Sequence, residues 1–190
     1  MMKFNRPNQP RCLAIKSTDW TTRWLADKKK SQVFRWYNAK CKTSVSQALS
    51  QAHARHCAFC DLRLALSSTE TIEHFKPKST FPELAFVWDN LYPACTLCQR
   101  YKLEKFDDRL LRPDDTAYSF DTYFMIDYSC GKLKPNSRLS PVEKERAEKT
   151  IELYGLNEAG RPQARFDMLE DLDKLDRSKQ DKYDFRYLFL

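Results

Sequence analysis

Two cysteine pairs of identical spacing, Cys57-Ala-Phe-Cys60 and Cys95-Thr-Leu-Cys98, constrain this chain more than any other feature. A C-x-x-C turn presents two thiolates from one side of the backbone. Two such turns supply the four sulfur ligands of a closed tetrahedral Zn²⁺ site, at about 2.3 Å each. Bringing them together closes the chain between Cys60 and Cys95 into a loop. That loop carries Glu73-His74-Phe75-Lys76-Pro77-Lys78-Ser79 and Trp88-Asp89-Asn90-Leu91. Four cysteines alone would also fit a zinc ribbon that only binds, so the residues inside the loop decide what the metal supports.

Those residues suit hydrolysis of a phosphodiester. Such chemistry needs a base to take a proton from water and a divalent ion to offset charge on the phosphate. His74 is the candidate base, because an unperturbed imidazole titrates near working pH. Glu73 offers a carboxylate oxygen to Mg²⁺ or Mn²⁺. The two are strand neighbours, which point to opposite faces, so a local bend is needed for both to serve one site. Asn90 can donate and accept hydrogen bonds and so pin the loop that orients His74. Gln99, next to the last cysteine, is a candidate second ligand for the catalytic ion. Lys76, Lys78 and Lys102 are candidate contacts to nucleic-acid phosphates. His53 and His56 precede the first cysteine pair, and four thiolates already complete the zinc site without His56.

The remaining composition sets the context. The 190 residues carry a net charge of +7 and a pI near 9.0, a balance that suits a polyanion. Three glycines leave no phosphate-cradling loop, which argues against a nucleotide-binding ATPase. The polar start, Met-Met-Lys-Phe-Asn-Arg-Pro, lacks a secretory hydrophobic region, and no run of about 18 apolar residues would span a membrane. A cytoplasmic location follows as the expectation. In a reducing compartment paired C-x-x-C implies metal rather than disulfide. Cys12, Cys41 and Cys130 lack metal spacing and read as core or surface thiols.

Residues 1–16 are punctuated by proline and read as extended. Asp19 to Ala54 reads as helical, broken near Lys28-Lys29-Lys30, with Trp20, Trp24, Phe34, Tyr37, Val45 and Leu49 as a core stripe. Thr69 to Phe75 reads as a strand, residues 96–106 as the start of a helix, and Phe120 to Tyr128 as a strand turned by Cys130-Gly131. Ser140-Pro141-Val142-Glu143 is a capping box with proline at the first helical position; its helix should stop at Gly155. Pro162 opens a further helix with Phe166, Leu169, Leu172 and Leu175 along one side. The expected fold is α+β. Residues 1–54 form an N-terminal extended and helical part, 55–110 a ββα core with the zinc site, and 111–190 a hairpin with C-terminal helices.

The ordered set C-x-x-C, Glu-His-x-x-Pro-x-Ser, Trp-Asp-Asn-Leu and C-x-x-C-Gln-x-x-Lys, running from Cys57 to Lys102, resembles the HNH endonuclease pattern with its ββα-metal core. The resemblance implies His74 as general base, Glu73 as catalytic-metal ligand, Asn90 as the structural asparagine and zinc on the four cysteines. Gln99 departs from it, since the family usually has His or Asn there. Softer matches lie at Lys3-Phe4-Asn5-Arg6-Pro7, Phe86-Val87-Trp88-Asp89-Asn90-Leu91 and Thr150-Ile151-Glu152-Leu153-Tyr154-Gly155-Leu156-Asn157. These are similar to PtuB-like nucleases of Septu anti-phage systems, also found as effectors of some retrons. That likeness implies a role in phage defence beside a PtuA-like ATPase. In a retron setting it implies a reverse transcriptase and its RNA–DNA product as further partners. The substrate is expected to be nucleic acid, DNA or RNA, with a ribonuclease acting on structured RNA such as tRNA as an alternative reading. A non-catalytic zinc module is the rival class. The helical flanks, residues 17–54 and 140–185, read as having apolar stripes larger than a small zinc core can cover, and so as docking faces for the ATPase.

Overall fold

The computed structural model describes residues 1–64 and 70–190; Thr69, the first residue of the expected strand, lies outside the described residues. Helix α1 spans Arg11–Lys29 and α2 spans Ala39–Ala52. Residues 11–16 are therefore helical rather than extended. The prolines end at Pro10, whose carbonyl accepts from the N–H groups of Leu13 and Ala14, so nothing hinders the first turn beyond it. The Asn38 side chain caps α2 through the N–H of Cys41 at 2.9 Å.

Strand β1, Glu70–His74, pairs antiparallel with β2, Leu91–Cys95, in the register Glu73↔Tyr92 and His74↔Leu91. Helix α3, Thr96–Lys102, follows directly, with the Cys95 side chain as its cap. Pro93 lies inside β2, where it cannot donate to a ladder. Its carbonyl instead accepts from the Ala58 N–H at 2.9 Å, which docks the first cysteine turn against the strand.

Beyond this unit come α4, Phe120–Tyr123, then the hairpin of β3, Phe124–Asp127, and β4, Lys132–Pro135. Ser119 caps α4, which is why the expected strand begins only at Phe124. The capping box of Ser140 and Glu143 starts α5, Pro141–Leu153, and Gly155 ends it at φ 56°. A Cβ on Gly155 would lie 2.5 Å from the Tyr101 ring, so the position needs glycine for space as well as for backbone angle.

Helix α6 spans Arg161–Glu170, shorter than its apolar spacing implied. Glu170, Asp171 and Asp173 crowd carboxylates at the negative end of the helix, and Leu172 falls into a 3₁₀ turn. The residues that α6 buries are Arg161 and Arg165, not a leucine stripe.

The core draws on every part of the chain. Trp24, Val45 and Leu49 join Phe59, Tyr92, Phe124, Leu153 and Tyr154 in one buried cluster, against which Leu172 also packs. Part of the apolar stripes of the flanks is thus covered by the protein itself, while Phe166, Met168, Leu169 and Leu175 stay half-buried and Val33 and Val142 are exposed. Cys12 and Cys41 are not thiols: they form a disulfide between α1 and α2, with Cα atoms 5.8 Å apart, while Cys130 is free. No described helix is long and apolar enough to cross a membrane.

The C-terminal segment straps the first cysteine turn. The buried Asp61 carboxylate accepts from the Arg186 backbone N–H at 2.6 Å and from Arg186 Nη2 at 2.7 Å. The Asp184 carboxylate accepts from the Arg63 N–H at 2.6 Å. Removing Arg186 leaves Asp61 buried without its cation, a change of about 3–5 kcal/mol. Arg186→Ala should therefore lower the urea midpoint of the metal-loaded protein strongly, whereas Asp181→Ala, at the solvent edge of the same guanidinium, should change it little.

Candidate metal centre and adjoining cleft

The first cysteine turn is closed by hydrogen bonds from Cys57 N–H to the Leu62 carbonyl and from Asp61 N–H to the Cys57 carbonyl. Asp61 adopts φ 63°, and its ion pair with Arg186 holds it there. The second turn is made by the end of β2 and the first turn of α3. The four Sγ atoms of Cys57, Cys60, Cys95 and Cys98 all lie within 4.8 Å of one another, and all four residues are buried. Cys60 Sγ and Cys95 Sγ are 3.6 Å apart. A tetrahedron with 2.3 Å metal–sulfur bonds has edges of about 3.8 Å. The cluster can hold a metal ion such as zinc.

Its electrostatics call for a cation. Hydrogen bonds from the neighbouring thiols, Cys57 first, hold Cys95 far below the usual thiol range. Burial pushes Cys60 and Cys98 well above it. Four sulfurs in one apolar cage cannot all ionise unless positive charge enters. One such charge comes from the protein. Arg161 Nη1 lies 3.6 Å from Cys98 Sγ and donates to the Tyr154 carbonyl at 3.0 Å. Burial alone would lower the Arg161 pKa; the thiolates, Cys98 first, reverse this and raise it. Sequence spacing did not single out Arg161, because the only signal was its place beside Pro162 at a helix start. His56 stays outside the cluster, with its ring nitrogens against the carbonyls of Ala54 and Tyr183.

The expected catalytic residues gather at a cavity of the β1–β2–α3 unit that none of the four cysteines lines. Glu73, His74, Pro77, Lys78, Gln99 and Glu104 line a cavity of about 270 Å³. Glu73 and His74 both reach it because β1 ends at His74 and the chain bends away there. His74 is buried, with Nε2 3.0 Å from the Ala85 carbonyl and its ring edge-to-face with Phe34. Burial, with Lys78 nearby, lowers its pKa to about 3. The imidazole is therefore neutral near pH 7.

Asn90 is a three-bond clamp. Its Oδ1 accepts from the Lys76 N–H at 2.7 Å, and its Nδ2 donates to the carbonyls of Lys76 and Leu84 at 3.0 and 3.1 Å. It joins the two ends of the loop that carries Ala85, and so sets the position of the carbonyl that holds His74.

The three expected phosphate contacts separate. Lys78 lines the cavity, 3.9 Å from Glu104. Lys76 turns away and lies over the Phe81 and Phe106 rings, 5.1 Å from each. Lys102 is fully buried and faces no phosphate. Its Nζ donates to Glu73 Oε1 at 2.6 Å and to the His74 carbonyl at 2.9 Å. The reason is Glu73 itself: a carboxylate this buried requires a cation, and Lys102, one turn along α3, is the nearest. Burial raises the Glu73 pKa, and Lys102 opposes that rise. Gln99 is half-buried and shares the cavity wall with Glu73. Arg100, unremarked in the sequence, also lines the cavity.

Compared with known proteins, the chain is 31% identical over 103 residues to the Septu protein PtuB of Bacillus thuringiensis. Over that stretch it is PtuB-like. The match covers 54% of this chain, and the chain spans 37% of that relative's length. No family model matches.

Two measurements check this site. Purified protein should carry about one zinc by elemental analysis, and Arg161→Gln should release it to a chromophoric chelator about 10-fold faster without changing the far-UV spectrum. His74 gives a pH prediction. Its folded pKa, about 3, lies below the ordinary 6.5, so the unfolded chain binds the proton more readily. The contribution of His74 to stability is complete above pH 6.5 and falls as pH drops toward 3. Imidazole NMR should find His74 neutral well below pH 6.5; a titration near 6.5 would contradict its buried environment.

Proposed function

We propose that this protein is a metal-dependent endonuclease of the HNH type, hydrolysing nucleic-acid phosphodiesters as the effector of a Septu-like or retron-associated anti-phage complex with a PtuA-like ATPase. The observation that carries this reading is a neutral, carbonyl-anchored histidine beside a carboxylate and a lysine on one cavity wall. The order of β1, β2 and α3 around the cysteine cluster supports it, and the similarity to PtuB supports the defence role.

The bond between Nε2 and the Ala85 carbonyl assigns the His74 proton to Nε2, which leaves Nδ1 as the acceptor. Nδ1 takes a proton from a water molecule as its oxygen attacks phosphorus. The P–O3′ bond breaks, and the leaving 3′ oxygen takes a proton from solvent. The products are a 5′-phosphate and a 3′-hydroxyl. An anionic phosphate in the cavity favours the imidazolium and strengthens the base as substrate arrives. Lys78 offsets part of the phosphate charge.

Glu73 and Gln99 are the residues that would hold an ion of the Mg²⁺ or Mn²⁺ type. Such an ion would supply charge neutralisation at the phosphate. Lys102 already offsets much of the Glu73 charge, so the protein's own hold on the ion is weak. Asn90 acts by keeping the Ala85 carbonyl in place.

The test is a cleavage assay on duplex DNA and on total RNA, alone and with the neighbouring ATPase. His74→Ala should reduce cleavage by about 10²–10⁴-fold while zinc content and ATPase co-purification are unchanged. Full activity in His74→Ala would remove His74 as the base and with it the HNH mechanism; binding of nucleic acid or the ATPase without cleavage in any arm would assign the chain a non-catalytic role. Cleavage confined to structured RNA would make it a ribonuclease.

A further inference from the structure

A second recess of about 530 Å³ adjoins the catalytic cavity and shares His74, Lys78 and Gln99 with it. Its far wall lies outside the β1–β2–α3 unit. It is built by the connection between α1 and α2, through Phe34, Arg35 and Trp36, and by Lys42 on the first turn of α2. The floor is Thr71 and Ile72 of β1.

The chemistry of this wall is specific. Trp36 is half-buried and packs edge-to-face on Phe86 with centroids 5.4 Å apart, which fixes the indole in place. Phe34 is committed to the interior, against His74, Phe86 and Trp24. Arg35 and Lys42 are exposed. The one carboxylate on the lining, Glu70, accepts from Ser46 Oγ at 2.6 Å. The recess thus presents three cations, Arg35, Lys42 and Lys78, around a held aromatic ring, and it opens directly onto His74.

The geometry points to a subsite for one unpaired nucleotide next to the scissile phosphate, its base against Trp36 and its phosphate between Arg35 and Lys42. The volume is that of a small-molecule pocket and is enough for a nucleotide. A base inside a duplex is stacked and paired, so only a looped, flipped or single-stranded nucleotide can enter. Stacking on one aromatic side chain tolerates any base, and the flanking cations follow the backbone. The substrate favoured by this recess is therefore nucleic acid with an unpaired nucleotide at the cut, in DNA or RNA. The inference rests on the nuclease reading only in placing the scissile phosphate beside His74.

The test is a binding measurement on the full-length, zinc-loaded protein without added Mg²⁺ or Mn²⁺. The probes are fluorescein-labelled single strands of about 10 nucleotides, in DNA and in RNA, and the blunt duplex of each. Single strands should bind about 10-fold more tightly than duplex. Arg35→Glu with Lys42→Glu should weaken single-strand binding about 10-fold and leave zinc content and the unfolding midpoint unchanged, since both side chains are exposed. Trp36→Leu should weaken it by about the same factor. The strand type with the larger loss identifies the sugar preferred; equal losses mean that only base and phosphate are read. Affinity unchanged in the charge-reversed or the Trp36 variant overturns the subsite, as does duplex binding that equals single-strand binding. Binding that follows these expectations in a protein without cleavage activity keeps the recess and removes the nuclease reading. Cleavage that depends on His74 but ignores Arg35, Lys42 and Trp36 does the reverse.

Discussion

Everything near the cleft depends on four sulfurs meeting in one apolar cage. Cys57 and Cys60 stand before β1, and Cys95 and Cys98 stand where β2 becomes α3. Joining the two turns fixes where β1 starts, where β2 ends and how α3 leaves the sheet. The strand pair has only five residues in each strand, and a two-stranded sheet of that size is marginal in water. A metal in the cluster supplies folding free energy that the ladder lacks. The protein adds its own support at three points: Arg161 on Cys98, the Ala58–Pro93 hydrogen bond on β2, and the Asp61–Arg186 pair on the first turn.

A second constraint joins β1 to α3 within the same unit. Glu73 and Lys102 form a fully buried ion pair between β1 and α3, and Lys102 also holds the His74 carbonyl. The pair adds little net stability, because both charges have left water. It does fix direction. Glu73 cannot swing without stranding Lys102, and His74 follows the backbone that Lys102 holds. Asn90 performs the matching task on the far side of the loop.

The local features of the fold were legible because their causes are local. The C-x-x-C pairs, the capping box at Ser140, the stop at Gly155 and the stripe through Trp24, Val45 and Leu49 each follow from a few adjacent residues. The meeting of Glu73, His74, Lys78 and Gln99 on one cavity was readable from spacing within a single motif. What escaped depends on contacts between distant residues. Lys102 looked like a surface cation because nothing nearby in sequence says that Glu73 is buried. Arg161 and Arg165 carried no sequence signal of burial, yet they point inward to carbonyls and, for Arg161, to Cys98. The Cys12–Cys41 disulfide required knowing that α1 and α2 lie side by side. Leu172 and Leu175 fitted a helical period that the acidic residues after Glu170 interrupt.

The strap over the first cysteine turn has a consequence for the order in which this chain can assemble. Arg186 reaches Asp61 across 125 positions of sequence. During synthesis the two cysteine turns, both strands and α3 emerge long before the residues that shelter Asp61. A nascent chain can therefore gather its thiolates early, but the first turn keeps a buried-type carboxylate in water until residues 184–186 arrive. Contacts of such separation form late and slowly. The first cysteine turn is thus completed last, and a ribosome-bound or truncated chain holds the motif without the strap that shelters Asp61.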